Sequence, residues 1–303
     1  MGKTRTRRPL YVFFGLGYTA RALLSQMAGD GRFVATSRHI QHKEDRLIAG
    51  KHVTFYPFSS VPDSIFPCAT HILSSVPPSE SGDAVLRRYG ASFSAYCSHC
   101  WYGYLSTVGV YGDYGGAWVD EESPLLTTQT RGRRRIIAEK AWQALAEMSC
   151  HVSIIRLPGI YGIGRCLFDR MINGTLRHLV KEGHVFSRIH VEDAARGILV
   201  LMHGERRQII YNLCDDEPSE SSHVLRYACR LAGVPVPPPE HVERAEKEGT
   251  LHPLTAQFYQ GCRRVSNRRL KEEMNFSLRY PHYRAGLHAL YAYHYRNRLT
   301  PMA

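Results

Sequence analysis

A glycine-rich stretch near the start of the chain has residue types and spacing that suit phosphate chemistry. It reads Gly15-Leu-Gly17-Tyr-Thr-Ala20 and overlaps the end of the apolar run LYVFFG. Gly15 permits a tight turn, Gly17 lets the backbone approach a pyrophosphate, and Ala20 allows a helix to pack closely on a strand. A helix beginning at Tyr18 and Thr19 would present N–H groups to an anion. The stretch predicts a dinucleotide site, although a strand-to-helix turn without a ligand could have the same sequence.

The next strand-like run, RFVATSR, ends in residues that bear on which dinucleotide would bind. NAD sites usually place an acid about 20 residues beyond the glycines, where it accepts the ribose 2′-OH. This chain has Thr36-Ser37-Arg38 there instead. Because a guanidinium binds phosphate bidentately, Ser37 and Arg38 are predicted to hold a 2′-phosphate. NADP is therefore favoured over NAD, and the alternative is that Arg38 only faces solvent.

A third stretch, TRGRRRIIAEK at residues 130–140, contains four arginines within five residues. The run has three interpretations: a nucleic-acid contact, a solvated helix face, or cations standing where catalytic groups usually stand. No recognised nucleic-acid-binding module accompanies it, and basic and aromatic residues do not alternate. A nucleic-acid partner is therefore the least favoured of the three.

The elements that would position these residues alternate along the chain. Strand-like runs recur at LYVFFG, RFVATSR, HVTFYPF, THILSSV, WYGYLSTVGV and HVSIIRL, with helical segments such as 78–96 and 134–148 between them. This order predicts an α/β fold with a Rossmann-type, doubly wound parallel sheet. The pattern then loosens. We expect a dinucleotide-binding domain over 9–217 and a small C-terminal substrate-capping lobe over 218–303, with 166–184 contributing to that lobe.

Composition limits the class of protein. The chain has 303 residues, 44% of them hydrophobic, and a formal net charge of +12, which favours anionic ligands. Apolar runs are too short to cross a bilayer and no tripartite signal opens the chain, so we expect a cytoplasmic protein without a membrane partner. The eight cysteines are scattered and are expected to stay reduced. No metal site is predicted, because no convincing ligand spacing is present.

Several further segments resemble one family in the right order. They are LSTVGVYGD at 105–113, RLPGIYGIGR at 156–165, RIHVEDAARGI at 188–198 and YNLCDDEP at 211–218. Together they look like the extended short-chain dehydrogenase/reductases, the group of NAD(P)-dependent sugar epimerases and dehydratases. The segments SSVPPS and RRVSNRRLKEEMNFSLRYPHYRAGL are similar to the atypical bacterial members described as epimerase/dehydratase-like. The resemblance covers nearly the whole chain.

The resemblance implies a catalytic arrangement that this chain only partly matches. Family members use a Tyr and a Lys in a YxxxK motif, plus a Ser or Thr after strand five. Ser106 and Thr107 stand at the hydroxyl positions. Counting back from Glu139 places the lysine position at Arg135 and the tyrosine position at Arg131. A guanidinium stays protonated in proteins, so Arg131 does not replace tyrosine as an acid or base.

Three explanations of this substitution stay open. A tyrosine from a neighbouring loop could supply the proton, and Tyr111 is placed best because it follows Ser106 closely; Tyr102, Tyr104 and Tyr161 are further candidates. The arginines could instead bind an anionic substrate or the phosphates of the cofactor. The protein could also keep the pocket without the reaction.

The resemblance also implies further cofactor contacts. Ser74, Ser75 and Val76 follow the fourth predicted strand, at the edge where family members bind the dinucleotide. Pro158 and Ile160 lie in a segment that in the family touches the nicotinamide through its backbone. Arg131 joins this set if it binds the cofactor.

Two hypotheses follow from these observations. The first is an NADP-binding oxidoreductase or epimerase-like enzyme that acts on a small substrate, which its basic surroundings suggest to be anionic. The second is a non-catalytic NADP-binding sensor or regulator on the same fold. Family members often pair through helices equivalent to residues 81–96 and 134–148, so a homodimer is expected.

Overall fold

The computed structural model of the protein describes residues 8–96, 99–205 and 209–299. The chain forms two compact units. The sheet unit contains the described residues of Met1–Thr107, Arg133–Arg156 and Ala195–Tyr211. The second unit contains those of Val108–Gly132, Leu157–Ala194 and Asn212–Ala303.

Short strands and helices alternate along the described residues. The strands are β1 Leu10–Phe14, β2 Arg32–Ser37, β3 Glu44–Ile48, β4 Lys51–Pro57, β5 His71–Ser74, β6 Trp101–Thr107, β7 Trp118–Val119, β8 His151–Leu157, β9 Gly159–Tyr161, β10 His178–Val180, β11 Val185–Phe186, β12 Arg188–His190, β13 Ile210–Asn212, β14 Ser219–Glu220, β15 Pro239–His241 and β16 Arg264–Val265. The α-helices are α1 Tyr18–Gln26, α2 Ala84–Ala95, α3 Thr130–Glu147, α4 Leu167–Ile172, α5 Val191–His203, α6 Ser221–Ala232, α7 Val242–Lys247, α8 Pro253–Phe258, α9 Arg268–Met274, α10 Tyr283–Leu290 and α11 Arg296–Leu299. Single turns of 3₁₀-helix occupy Phe58–Ser60, Asp63–Cys68 and Val108–Tyr111, and a π-helical turn occupies Tyr291–Tyr295.

An eight-stranded sheet confirms the predicted α/β Rossmann-type fold. Its strand order is β13-β8-β6-β5-β1-β2-β4-β3. Strand β1 pairs in parallel with β2 and β5, β5 pairs in parallel with β6, and β2 pairs in parallel with β4. Every residue of β1 is buried, as expected of a strand covered on both faces. Parallel strands bring their carboxyl ends to one edge, so the segments after β1, β2, β5 and β6 share that edge.

Strand β3 was not predicted. It pairs antiparallel with β4 at the edge of the sheet. The two strands are joined by a tight turn in which Ala49 and Gly50 both have positive φ, 50° and 74°. Such a turn matches the twist of a hairpin. The sequence of β3, EDRLI, is mostly exposed, and an exposed edge strand leaves little hydrophobic periodicity to detect.

One face of the sheet packs against α2 and α3 through aromatic side chains. Phe14, Phe93 and Trp142 are fully buried there. The Trp142 indole N–H donates to Oδ2 of Asp83 at 3.1 Å, while Oδ1 of Asp83 accepts the first free N–H groups of α2. An Asp at this position caps a helix, which explains why α2 begins at Ala84 although helical character was predicted from residue 78.

The second unit is assembled from separated stretches of chain, which differs from the predicted division into 9–217 and 218–303. The stretch 108–132 belongs to it because β7 pairs in parallel with β16. Its core includes Phe168, Tyr283, Leu287 and Tyr295. A division along the chain could not foresee this pairing, since β7 and β16 are only two residues each. No helix among the described residues is long and apolar enough to span a membrane.

Candidate nucleotide-binding site

The first turn after β1 has a backbone that requires glycine. Gly15 has φ +82°, a conformation that L side chains rarely adopt. A Cβ atom added to it would lie 2.8 Å from Oγ of Ser75. The Gly15 N–H donates to Oγ1 of Thr36 at 3.1 Å, and the Ser75 hydroxyl donates to the Gly15 carbonyl at 2.8 Å. The ends of β1, β2 and β5 are thus tied together around this glycine.

Gly17 has a different geometry and opens onto free space. It precedes α1, and a Cβ atom added to it would meet nothing within 4 Å. Its φ of −80° strains no residue type, so the fold itself does not require glycine here. No side chain among the described residues caps α1. Ala20 is 1% exposed where α1 packs on the sheet. The open approach and the uncapped N-terminus of α1 suit a bound phosphate group.

Two residues predicted to recognise a 2′-phosphate lie at the end of β2. The Ser37 hydroxyl oxygen accepts the His39 N–H at 3.1 Å and keeps its own hydrogen for another acceptor. Arg38 is exposed. Within the described part of the chain it makes no ion pair or hydrogen bond. A cation at this edge of the sheet is therefore available to an anion.

The segment after β5 supports the loop from the neighbouring strand. Ser75 holds the Gly15 carbonyl, and Val76 lies beside Gly15, with Cγ2 3.7 Å from where a Cβ would stand. Ser74 is completely buried, and its hydroxyl has no partner among the described residues. Of this predicted set, Ser75 contributes to the shape of the glycine turn, while Ser74 faces the core.

The end of β6 carries the two predicted hydroxyls on opposite faces of the strand. The Ser106 hydroxyl donates to Oε1 of Glu139 on α3. The same carboxylate binds the Arg156 guanidinium, with 2.7 Å between Oε2 and Nη2, and the Arg156 and Glu139 side chains are each 2% exposed. Ser106 thus points its hydrogen into a buried ion pair. Thr107, on the other face, is half-buried.

The two arginines of the altered motif behave differently on α3. Arg135, at the lysine position, donates from Nη1 to the Tyr104 hydroxyl at 2.9 Å and to the Leu105 carbonyl at 2.7 Å. Its guanidinium carbon lies 5.5 Å from the centre of the Tyr104 ring. Arg131, at the tyrosine position, is exposed in the first turn of α3, and it has no partner among the residues that the structure describes. Arg135 is therefore engaged by β6, and Arg131 is available to a ligand.

The four tyrosines considered as replacement acids all have buried hydroxyls. Tyr111 is fully buried and donates to Oδ1 of Asn212 at 2.7 Å. Tyr102 donates to the Phe93 carbonyl at 3.3 Å. Burial raises the pKa of Tyr104 and that of Tyr161. This arrangement favours packing roles for these side chains, and the role of Tyr111 as an acid stays a prediction.

The predicted residues fall into two groups. The sheet unit brings together the glycine turn, the end of β2, the segment after β5 and the end of β6. Tyr111, Arg131, Pro158 and Ile160 belong to stretches of the second unit. Ile160 is the middle residue of β9 and pairs with Ile189 of β12; Pro158 lies between β8 and β9 and is half-buried.

Sequence reasoning missed two supporting interactions. Thr36 anchors the glycine turn, and the Glu139–Arg156 pair binds α3 to β8 beneath Ser106. The Thr36 hydrogen bond has no sequence signal, because a threonine at the end of a strand is common. The Glu139–Arg156 pair had a partial signal, since the positions of the YxxxK motif were counted back from Glu139. Among the described residues no group of three or more His, Cys, Asp or Glu side chains could hold a metal ion.

Comparison with known proteins places this geometry in a family. No family model and no curated protein matches the chain. A conserved protein of unknown function from Silicibacter pomeroyi has 39% identity and a TM-score of 0.83, over 94% of this chain and 98% of that one. The dTDP-glucose 4,6-dehydratase of Bacillus anthracis, solved with NAD, has 15% identity and a TM-score of 0.71, over 96% and 98%. A human epimerase family protein, SDR39U1, solved with NADPH, has 13% identity and a TM-score of 0.67, over 94% and 99%.

Proposed function

The chain belongs to the same family as the Silicibacter protein, within the epimerase/dehydratase-like extended short-chain dehydrogenase/reductases, and on that premise we propose that it binds NADP and acts as an oxidoreductase or epimerase-like enzyme on a small anionic substrate. The observation that carries the proposal is the pair of glycines after β1. Gly15 is required by the protein's own backbone, whereas Gly17 borders open space. A glycine that the fold does not need is best explained by a ligand that approaches it closely.

The preference for NADP rests on Arg38. It is exposed at the end of β2, and no acid stands in Thr36-Ser37-Arg38 to accept a ribose 2′-OH. A guanidinium that binds phosphate at this edge would distinguish NADP from NAD. Related folds occur with both cofactors, since the human protein was solved with NADPH and the Bacillus dehydratase with NAD. The distinction must therefore come from residues of this chain.

When bound, the nicotinamide would supply hydride transfer. The chain's own contribution on the substrate side would come from the exposed Arg131. Arg131 can orient a carboxylate or phosphate bidentately and stabilise developing negative charge, but it does not donate a proton at neutral pH. Any proton transfer would then involve Tyr111, solvent or the substrate itself.

A second candidate function is a non-catalytic NADP-binding sensor or regulator. Two observations favour it: all four candidate tyrosine hydroxyls are buried, and the arginine at the lysine position is held by Tyr104 and Leu105. The arginines at the tyrosine and lysine positions do not transfer protons at neutral pH, so the usual proton relay would be lost. A protein that binds the dinucleotide without turnover would keep the glycine turn and tolerate this loss.

Fluorescence titration with NADPH and NADH tests the premise that both candidates share. Binding of neither at micromolar concentration would contradict both. If NADPH binds, a panel of carbonyl compounds and sugar nucleotides, followed at the absorbance of reduced nicotinamide, separates them. Oxidation or reduction of the cofactor by any compound of the panel supports the enzyme hypothesis. If no compound oxidises or reduces the cofactor, the sensor hypothesis is supported.

The Arg131→Gln variant then tests the anionic substrate. If Arg131 binds substrate, the variant keeps its NADPH affinity and its KM for the active compound rises about tenfold or more. If Arg131 binds the cofactor's phosphates, NADPH affinity falls instead. The exposed neighbour Arg133 supplies the control, because Arg133→Gln removes the same charge from the same helix.

We also propose that the protein forms a homodimer in the cytoplasm. The pairing would use the helices near residues 81–96 and 134–148, as in many family members. Light scattering coupled to size exclusion would report the mass directly, with a single chain at 34.4 kDa. A monomer at micromolar concentration would contradict the pairing.

A further inference from the structure

A group of buried polar atoms in the second unit has no hydrogen-bond partner. The hydroxyl of Tyr161 is one of them. Tyr161 is the last residue of β9, and a Cβ atom added to Gly286 on α10 would lie 2.1 Å from its hydroxyl oxygen. The hydroxyl therefore lies directly against the backbone of α10, closed off from solvent.

His190 adds a second unpartnered atom beside Tyr161. Strands β9 and β12 are parallel, with Tyr161 opposite His190, and the two rings are 5.2 Å apart at an angle of 82°. The Glu192 N–H donates to Nδ1 of His190 at 3.3 Å. Neutral imidazole carries its hydrogen on the other nitrogen, so Nε2 is a donor. That nitrogen is buried and has no acceptor among the described residues.

Asp215 adds an unpartnered carboxyl oxygen. Its backbone N–H donates to the Arg188 carbonyl at 2.7 Å, which places Asp215 beside β12. Oδ1 of Asp215 accepts the Glu217 N–H, while Oδ2 is buried without a partner in the described structure. Burial, and then the Asp215 carboxyl group, raises the pKa of Tyr161, while burial also raises the pKa of Asp215 and favours its neutral form.

A buried donor or acceptor left without a partner costs about 1–3 kcal/mol, and such groups in folded proteins are nearly always satisfied. Two such donors, on Tyr161 and His190, are at the ends of the paired strands β9 and β12, and the Asp215 oxygen belongs to a residue whose backbone is bonded to β12. We propose that this cluster of Tyr161, His190 and Asp215 binds one or two internal water molecules that bridge the three side chains.

The chemistry of the cluster selects water over other ligands. Water both accepts and donates, so it can serve the Tyr161 and His190 hydrogens and the Asp215 oxygen at once. Each unpartnered atom exposes less than 1 Å², so a substrate from solution would not reach it. An ion is disfavoured because burial raises the pKa of Asp215 and lowers that of His190, so that both side chains favour their neutral forms. The site is independent of the proposed NADP function.

The Tyr161→Phe variant distinguishes a hydrated cluster from a dry one by the sign of its effect. If the hydroxyl binds water, its removal lowers Tm by about 2–4 °C. If the hydroxyl is an unsatisfied group in a dry core, its removal leaves Tm unchanged or raises it, and the proposal is overturned. The change keeps the ring, and no ligand is needed for the measurement.

Two other tyrosines supply matched controls. Tyr295 donates to Oδ1 of Asp169 at 2.6 Å and accepts the Gly164 N–H, so Tyr295→Phe shows the effect of losing a paired hydroxyl. Tyr293 is 80% exposed, so Tyr293→Phe should leave Tm unchanged. A crystal structure of the wild-type protein should show water density within hydrogen-bond distance of the Tyr161 and Asp215 oxygens. A closed, empty contact there would also overturn the proposal.

Discussion

The turn after β1 and the first turns of α3 belong to the same fold but have departed from the family pattern to different degrees. At the turn, Gly15, Gly17 and Ala20 stand where a dinucleotide site needs them, and Thr36 and Ser75 hold the backbone in place. On α3, arginines replace both the tyrosine and the lysine of the YxxxK motif. The glycine pattern of a dinucleotide site is thus retained in a chain that lacks the tyrosine and lysine of the motif.

The physical reason lies in what each region uses. The glycine turn acts through backbone N–H groups and the absence of side chains, which many surrounding sequences can support. Proton transfer acts through one hydroxyl and its neighbouring cation, so a single substitution removes it. On α3 the arginine at the lysine position is itself held by the fold, because Arg135 is bound to Tyr104 and Leu105 of β6.

The largest effect is expected where α3 is anchored beneath the altered motif. Glu139→Gln would leave the buried Arg156 guanidinium without a counter-charge and should lower the free energy of unfolding by about 3–5 kcal/mol. Urea denaturation measures the change. Arg134→Ala on the same helix breaks the exposed pair with Glu80 and should cost about 1 kcal/mol or less. Equal losses in the two variants would mean that the buried pair does not anchor α3.

The two glycines of the turn should respond in different ways. Gly17→Ala should weaken NADPH binding about tenfold or more without a loss of stability, because its Cβ would meet ligand and not protein. Gly15→Ala should lower stability as well, since alanine at φ +82° is strained by about 1–2 kcal/mol. Titration and thermal denaturation of both variants provide the comparison. Unchanged NADPH affinity in Gly17→Ala would place the dinucleotide elsewhere.

A smaller effect should separate the two cofactors. Arg38→Ala removes an exposed cation that has no partner in the described structure, so stability should not change. NADPH affinity should fall about tenfold while NADH affinity stays the same. Isothermal calorimetry with each cofactor measures the ratio. A parallel loss for NADH would assign Arg38 to a phosphate that both cofactors share.

The smallest effect is expected at the tyrosine proposed as a replacement acid. Tyr111→Phe removes the hydrogen bond to Asn212 and should lower the free energy of unfolding by about 1 kcal/mol. If Tyr111 only packs, any turnover found for the wild-type protein should persist in the variant. Abolished turnover in a stably folded variant would show instead that the acid had moved from α3 to this loop.

The sequence by itself determined the α/β order of elements and the position of the glycine turn. Both depend on local patterns: apolar runs, helical spacing, and glycines where a strand meets a helix. The replacement of tyrosine and lysine by Arg131 and Arg135 was equally visible, because it needs only an aligned motif. Even so, sequence spacing made Ser106 and Thr107 equivalent candidates.

Only the tertiary structure decided which of these side chains are engaged by the fold and which are exposed. Ser106 is committed to Glu139 and Arg135 to β6, whereas Arg131 and Arg38 are exposed. It also decided the division of the chain, since β7 joins β16 across a long stretch of sequence. Partners distant in sequence set the burial and hydrogen bonding of each group. Local residue patterns do not encode those partners, so the availability of a side chain is a property of the folded protein.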